Sequence, residues 1–201
     1  MTEDRSTDII REVINIGVGD AAASLSSLVD RRIIITVPEI HVLAMRAISD
    51  FVRQNVPALG VYISQDFSGI VAGKALLFYT RECSILLLEA LTGQRPVSSS
   101  LSQTEIATLQ ELGNIIMVSC MSTIGDLLED AIRFEIPEVT EEISEGYFSN
   151  MVGEMADLDR AIVVRNDIQV QDAEISGYLF VLVGVSDLGT IVDTLGKRLS
   201  P

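Results

Sequence analysis

Apolar residues recur at helical spacing through two long segments, one near the amino terminus and one near the middle of the chain. The first pattern predicts a helix over residues 7–29, and the second predicts a helix from Ser102 to about Asp130. Ser102 and Glu105 form a candidate capping box at the start of the second helix. The predicted buried stripes are Ile10, Val13, Ile14, Ala21, Leu25 and Leu28 in the first helix, and Leu109, Gly113, Ile116, Cys120, Ile124 and Leu127 in the second.

Shorter β-branched and apolar runs follow each long helix and predict strands. In the first half we expect strands over 32–37, 40–46, 56–64 and 69–79, a turn over 65–69 and a short helix over 81–91. In the second half we expect strands over 131–136, 158–165 and 174–183, and a short helix over 187–195. The acidic residues Glu141, Glu142 and Glu145 predict a solvated face or loop.

The two halves of the chain repeat one another. Residues of the first half meet an identical residue 99 positions downstream, among them Glu12, Asn15, Ile16, Leu28, Ile33, Pro38 and Glu39. We therefore predict an α+β fold with a pseudo-two-fold internal repeat, in which one domain spans 1–201 and its repeats are 1–97 and 98–201. Short connections favour a continuous, mainly antiparallel sheet in a three-layer α/β/α arrangement, with the two long helices carrying the sites.

The polar face of each long helix carries a carboxylate and a carboxamide one turn apart. At about 100° per residue, Asp8, Glu12 and Asn15 fall within a stripe of about 60° on the first helix. Glu111 and Asn114 share a face of the second helix in the same way. The sequence therefore predicts a docking or catalytic face that is displayed twice.

Charge and composition indicate which partners and which cellular location the protein can have. The 201 residues carry a net charge of −15, which disfavours nucleic acid and anionic membranes as partners. No apolar run approaches the roughly 20 residues that span a bilayer, and the acidic amino terminus is unlike a signal peptide. Cys83 and Cys120 are isolated, which predicts reduced core thiols in a cytoplasmic protein.

Other classes of site find little support in the sequence. His41 is the only histidine and has no partners at ligand spacing, so we interpret it as a structural or surface residue. Gly17 and Gly19 form a G-x-G, but no strand precedes it, and close packing or a helix bend explains it better than a nucleotide loop. A metallohydrolase, a covalent hydrolase and a nucleotide-binding protein are therefore disfavoured, and we expect no metal or cofactor of the chain's own.

The spacing Asp8-x3-Glu12-x2-Asn15-x22-Pro38 returns as Glu111-x2-Asn114-x22-Pro137. This duplicated pattern resembles the CheC family of chemotaxis phosphatases, in the CheC/CheX/FliY superfamily. The resemblance implies that the chain removes the aspartyl phosphate of the response regulator CheY. It also implies a cytoplasmic protein and, as a second partner, the receptor deamidase CheD.

The resemblance also assigns roles to the residues of the motif. Asn15 and Asn114 would orient a water molecule in line with the phosphorus atom, and Glu12 and Glu111 would pair with the receiver's lysine. Asp8 would be an accessory contact. The receiver would supply the Mg²⁺ ion. We interpret Pro38 and Pro137 as structural, ending strands or shaping turns.

The second copy departs from the pattern, and two other functions stay open. Ala107 stands where the first copy has Asp8, which predicts two sites of unequal activity. One alternative is a non-catalytic scaffold like the FliM middle domain, and another is an adaptor that acts through CheD. A FliY-like chain would carry a further carboxy-terminal switch domain. Because the chain ends at Pro201, directly after the second repeat, we expect a stand-alone protein.

Overall fold

The computed structural model describes residues 3–57, 59–98, 100–142, 158, 160–170, 173–184, 189 and 192–194. The elements, in chain order, are α1 (Glu3–Val29), β1 (Ile33–Ala44), α2 (Met45–Asn55), β2 (Gly60–Gly69), β3 (Gly73–Thr80), α3 (Arg81–Thr92), α4 (Gln103–Leu128), β4 (Ile132–Phe134), β5 (Glu138–Glu142), β6 (Arg160–Val170) and β7 (Ala173–Val183). Glu145 and most of the predicted helix 187–195 lie outside the described residues.

The seven strands form one antiparallel sheet whose order interleaves the two halves of the chain. The order is β1-β6-β7-β3-β2-β4, and β5 also pairs with β2. The hairpins β2–β3 and β6–β7 meet at the centre, and each half places its first strand against the hairpin of the other half. This order has the predicted pseudo-two-fold symmetry. Because neither half keeps its own outer strand, the two halves depend on each other for their hydrogen bonds.

Helices cover both faces of the sheet. Helices α1, α3 and α4 pack on one face over the larger apolar core, which includes Ile14, Leu25, Leu88 and Leu109. Helix α2 packs on the opposite face over a smaller cluster that contains Ile48. The predicted α/β/α layering is confirmed, although α2 was not predicted from the sequence.

Helix α4 illustrates how local signals and packing agree. The predicted capping box is present: the Ser102 hydroxyl accepts from the Glu105 amide, and the Glu105 carboxylate accepts from the Ser102 amide. Among the described helices, α4 alone is long and apolar enough to meet a membrane-span criterion. Its apolar residues, among them Leu109, Ile116 and Ile124, are buried against the rest of the protein.

Pro38, the first motif proline, was predicted to end a strand. It lies inside β1 instead. The pairing of β1 with β6 shifts by one residue between Thr36 and Glu39, so Pro38 sits at a bulge in an outer strand. An outer strand tolerates proline because one of its edges needs no amide donors, and a bulge removes a further ladder bond. Pro137 occupies the matching place in the second half, between β4 and β5.

Two further predictions of secondary structure need correction. The turn expected at 65–69 is the end of β2, which stays paired with β3 as far as the buried Phe67, and the hairpin turns at 70–72 instead. Glu141 and Glu142 lie in β5 rather than in a loop. Glu141 is half-buried because it pairs with Arg81 and accepts from the Leu101 amide.

Candidate active site

The motif residues of α1 lie on the solvent face of that helix. Asp8, Glu12 and Asn15 are exposed. On the opposite side Val13 and Ile14 are buried in the core. The amphipathic pattern that predicted this face therefore places the first carboxylate and carboxamide where another protein can reach them. One residue of the predicted buried stripe, Leu28, is 60% exposed, because it lies at the last turn of α1.

The motif residues of α4 differ in accessibility. Glu111 is exposed, whereas Asn114 is half-buried. Ala107, which takes the place of Asp8, is exposed and offers no polar group. The second copy therefore keeps the acid and the amide but presents less polar surface than the first.

A buried glutamine explains the lower accessibility of Asn114. The Nε2 atom of Gln65 on β2 donates to Asn114 Oδ1 over 3.0 Å and to the Glu135 carbonyl over 2.8 Å. The Gln65 side chain is 2% exposed and lies under α4. No pattern of residue types distinguished Gln65, which was predicted to lie in a turn. The alternation of Val61, Ile63 and Phe67 on one face was the signal that could have placed it in a strand.

The two copies lie toward opposite ends of the α1–α4 pair. Glu111 of α4 lines a cleft of about 400 Å³ together with Leu25 and Leu28 near the end of α1. At 1.5 Å per residue, Leu25 stands roughly 20 Å along α1 from Glu12. Each copy must therefore act through the groups of its own helix and of the sheet beneath it, rather than through a combined site.

The second motif proline is tied to α4. The Gln110 side chain donates from Nε2 to the Pro137 carbonyl over 2.9 Å, and Pro137 is buried. Pro38 of the first copy is exposed. The segment between β4 and β5 is thus held at two points, by Gln65 at Glu135 and by Gln110 at Pro137.

The described residues contain no cluster of three or more His, Cys, Asp or Glu side chains that could hold a metal ion. His41 packs its ring against Phe51 and lies 3.7 Å from Glu39, in agreement with a structural or surface role. Burial raises the pKa of the Cys120 thiol to about 12. Such a thiol is a poor nucleophile at neutral pH. The exposed faces of α1 and α4 carry charge and groups that can form hydrogen bonds.

The chain is similar to several known proteins. The model of the CheC-like family matches residues 6–42, which include Glu12, Asn15 and Pro38. The CheY-P phosphatase CheC of Bacillus subtilis is 25% identical over 204 aligned residues, covering 98% of this chain and 97% of that protein. The chain is thus similar to the CheC-like family over residues 6–42 and to one of its named proteins over nearly its whole length. The flagellar motor switch phosphatase FliY of B. subtilis is 28% identical over 67% of this chain, but the match covers only 36% of that protein.

Solved structures share the fold of this chain. Thermotoga maritima FliY superposes with a TM-score of 0.75 at 19% identity, with 98% of each chain covered. The FliM middle domain of H. pylori gives a TM-score of 0.65 at 11% identity, with 96% of this chain and 99% of that one covered. CheX, in a complex with CheY, BeF3 and Mg²⁺ from Borrelia burgdorferi, gives 0.52 at 16% identity, with 83% and 96% covered.

Proposed function

We propose that this chain is a phosphatase that hydrolyses the aspartyl phosphate of the CheY receiver domain. The observation that carries the proposal is the exposed acid and amide one turn apart on α1, with the same pair repeated on α4. The B. subtilis relative named CheY-P phosphatase CheC, which aligns over nearly the whole chain, supports the substrate. The CheX structure in complex with CheY supports a receiver domain as the partner.

Hydrolysis of an aspartyl phosphate requires few groups from the phosphatase. Water attacks the phosphorus atom, the bond between phosphorus and the aspartyl oxygen breaks, and the products are inorganic phosphate and the free carboxylate. The aspartyl carboxylate is a good leaving group, and a Mg²⁺ ion supplied by the receiver would neutralise charge on the phosphoryl oxygens. The phosphatase must therefore hold one water molecule in line, which is a matter of position.

The carboxamides suit that task. An amide both accepts a hydrogen bond from water and donates one to it, and it does so without a change of charge. We assign Asn15 and Asn114 to the water molecule. Glu12 and Glu111 stand one turn away and would form charge-assisted hydrogen bonds with the receiver's lysine, which fixes the register of docking. Asp8 adds a contact in the first copy alone.

A phosphate-release assay with phosphorylated CheY tests the proposal. The Asn15→Ala/Asn114→Ala protein should lose the activity of the wild type. Gln54→Ala is a matched control, because Gln54 is an exposed amide on α2, on the other face of the sheet. Loss of activity in the control as well would indicate a general structural effect.

A non-catalytic role is the second candidate, and the fold itself is what supports it. FliM middle domains share this architecture. A scaffold or an adaptor that acts through CheD would bind its partner without turnover. Binding of CheY or CheD with no release of phosphate would favour this role over the first. Either role would place the chain in the cytoplasm, where receiver domains are found.

A further inference from the structure

Gln65 is a buried polar residue that connects the α4 copy of the motif to the sheet. It lies on β2, opposite the interruption between β4 and β5, where the pairing passes from Phe67–Phe134 to Ser64–Glu138. Its Nε2 atom donates to the Glu135 carbonyl in that interruption and to Asn114 Oδ1 on α4. One side chain thus joins the helix, the central sheet and the outer strand.

These two bonds fix which way the Asn114 carboxamide faces. A backbone carbonyl can only accept, so the Gln65 atom that meets Glu135 must be the amide nitrogen. The Asn114 atom that meets the same nitrogen must then be an acceptor, which is Oδ1. Asn114 therefore keeps Nδ2 and one remaining lone pair of Oδ1 for other partners, in a defined orientation.

The arrangement leaves a buried polar atom unsatisfied. Gln65 Oε1 has no hydrogen-bond partner among the described residues. An apolar side chain of similar size would avoid that cost, and buried polar groups without partners are rare. Gln65 is therefore poorly explained by the stability of the core alone. One of its two donated bonds acts directly on Asn114, and the other anchors the Gln65 side chain to the Glu135 carbonyl.

The first half of the chain has a matching residue that makes a different bond. Asn166 lies on β6 opposite the bulge at Pro38 and is 2% exposed, on the same face of the sheet as Gln65. Its Oδ1 accepts from the Tyr79 hydroxyl over 3.1 Å, and its Nδ2 has no partner among the described residues. Asn15 is exposed and makes no side-chain hydrogen bond with the part of the chain that the structure describes. The two copies thus share a buried amide beneath the helix, but only the longer side chain is bonded to the motif asparagine.

We propose that Gln65 is a positioning residue for Asn114, which holds that carboxamide in one orientation for the water molecule. The inference rests on the proposed phosphatase function. It adds that the α4 copy is preorganised from beneath by Gln65, whereas the α1 copy is not, so the two copies differ in more than the replacement of Asp8 by Ala107.

The kinetic test uses Gln65→Met, which keeps the length of the side chain and removes both donated bonds. In an Asn15→Ala background only the α4 copy is available, and there the substitution should lower kcat about tenfold, because the water is held less well. KM should change by less than about twofold, because Glu111 still docks the receiver. The same substitution in an Asn114→Ala background should lower kcat much less. Ser64→Ala, at the neighbouring position on the opposite face of β2, is the matched control.

A second readout does not depend on activity. NMR relaxation of the side-chain amides should show Asn114 Nδ2 more ordered than Asn15 Nδ2 in the wild type. Gln65→Met should lower the order of Asn114 to the level of Asn15. Equal kcat losses in both backgrounds, or an Asn114 amide that is mobile in the wild type, would overturn the inference. A protein without phosphatase activity whose Asn114 amide is ordered, and loses that order in Gln65→Met, would overturn the proposed function. The positioning of Asn114 by Gln65 would stand.

Discussion

Gly17 of α1 lies directly against the backbone of Cys120 of α4, and a Cβ atom at Gly17 would stand 2.6 Å from the Cα atom of Cys120. Such a distance is closer than two carbon atoms can approach, so glycine is what lets the two long helices pack together here. The other member of the G-x-G, Gly19, has no atom within 4 Å of its ideal Cβ position. Of the two roles considered for these glycines, close packing applies to Gly17.

These two glycines give a matched pair for a stability measurement. Gly17→Ala should lower the free energy of unfolding by about 1–3 kcal/mol, because the added methyl group forces α1 away from α4. Gly19→Ala should raise it by about 0.5–1 kcal/mol, because alanine favours an exposed helix. Urea denaturation of both variants checks the prediction. An unfolding free energy of Gly17→Ala equal to that of the wild type would show that the helices do not pack at this point.

The difference between Asp8 and Ala107 should appear in substrate binding. A hydrogen bond of about 0.5–1.5 kcal/mol corresponds to a change in KM of roughly two- to tenfold. Asp8→Ala should raise KM by that factor when only the α1 copy is active, in an Asn114→Ala background. Ala107→Asp should lower KM when only the α4 copy is active, in an Asn15→Ala background. If both substitutions leave KM unchanged, the acid at this position is not a docking contact.

Much of the fold followed from the sequence, and the misses have physical causes. The long helices, the capping box at Ser102 and most strands were predictable because each combines periodicity with a local stop or start signal. Helix α2 was missed because it is short, follows β1 directly and has no side-chain cap at Ala44, although Ile48, Phe51 and Val52 recur at helical spacing. Pro38 was taken for a strand end because a one-dimensional pattern cannot show that β1 is an outer strand with a bulge.

The candidate site was predictable only in part. The duplication drew attention to the Glu and Asn pairs, and the helical period placed them on exposed faces. Gln65 could not be recognised in this way, because its contact with Asn114 joins residues 49 positions apart on different elements. The inequality between the copies was expected from Ala107, but its second source, the bond to Gln65, is a tertiary feature.

The capping box gives the protein an acid-sensitive contribution to stability. The hydrogen bonds from the backbone and side chain of Ser102 lower the pKa of Glu105 in the folded state. A lowered folded pKa means that the stabilisation is present above the unfolded pKa, about 4.3 for Glu, and is lost as the pH falls through the folded pKa. The difference in unfolding free energy between the wild type and Glu105→Gln should therefore be larger at pH 7 than at about pH 3. An unchanged difference would contradict this role of the carboxylate.

The two cysteines should differ in reactivity. Cys120 is fully buried, with its pKa raised to about 12, whereas Cys83 is half-buried. In native protein at pH 8, iodoacetamide should modify Cys83 much faster than Cys120, and unfolding in urea should remove the difference. Mass spectrometry of the labelled peptides measures both rates. Rapid labelling of Cys120 in the native state would contradict the packing of α4 in the core.

The decay of phosphorylated CheY in the presence of this protein tests the central claim most directly. The wild type should accelerate the decay, and Asn15→Ala/Asn114→Ala should reduce the acceleration by about 100-fold or more, because neither copy can hold the water in line. Gln54→Ala should match the wild type. Decay at the wild-type rate with the double variant, while the protein stays folded, would contradict the assignment of Asn15 and Asn114 as the catalytic amides.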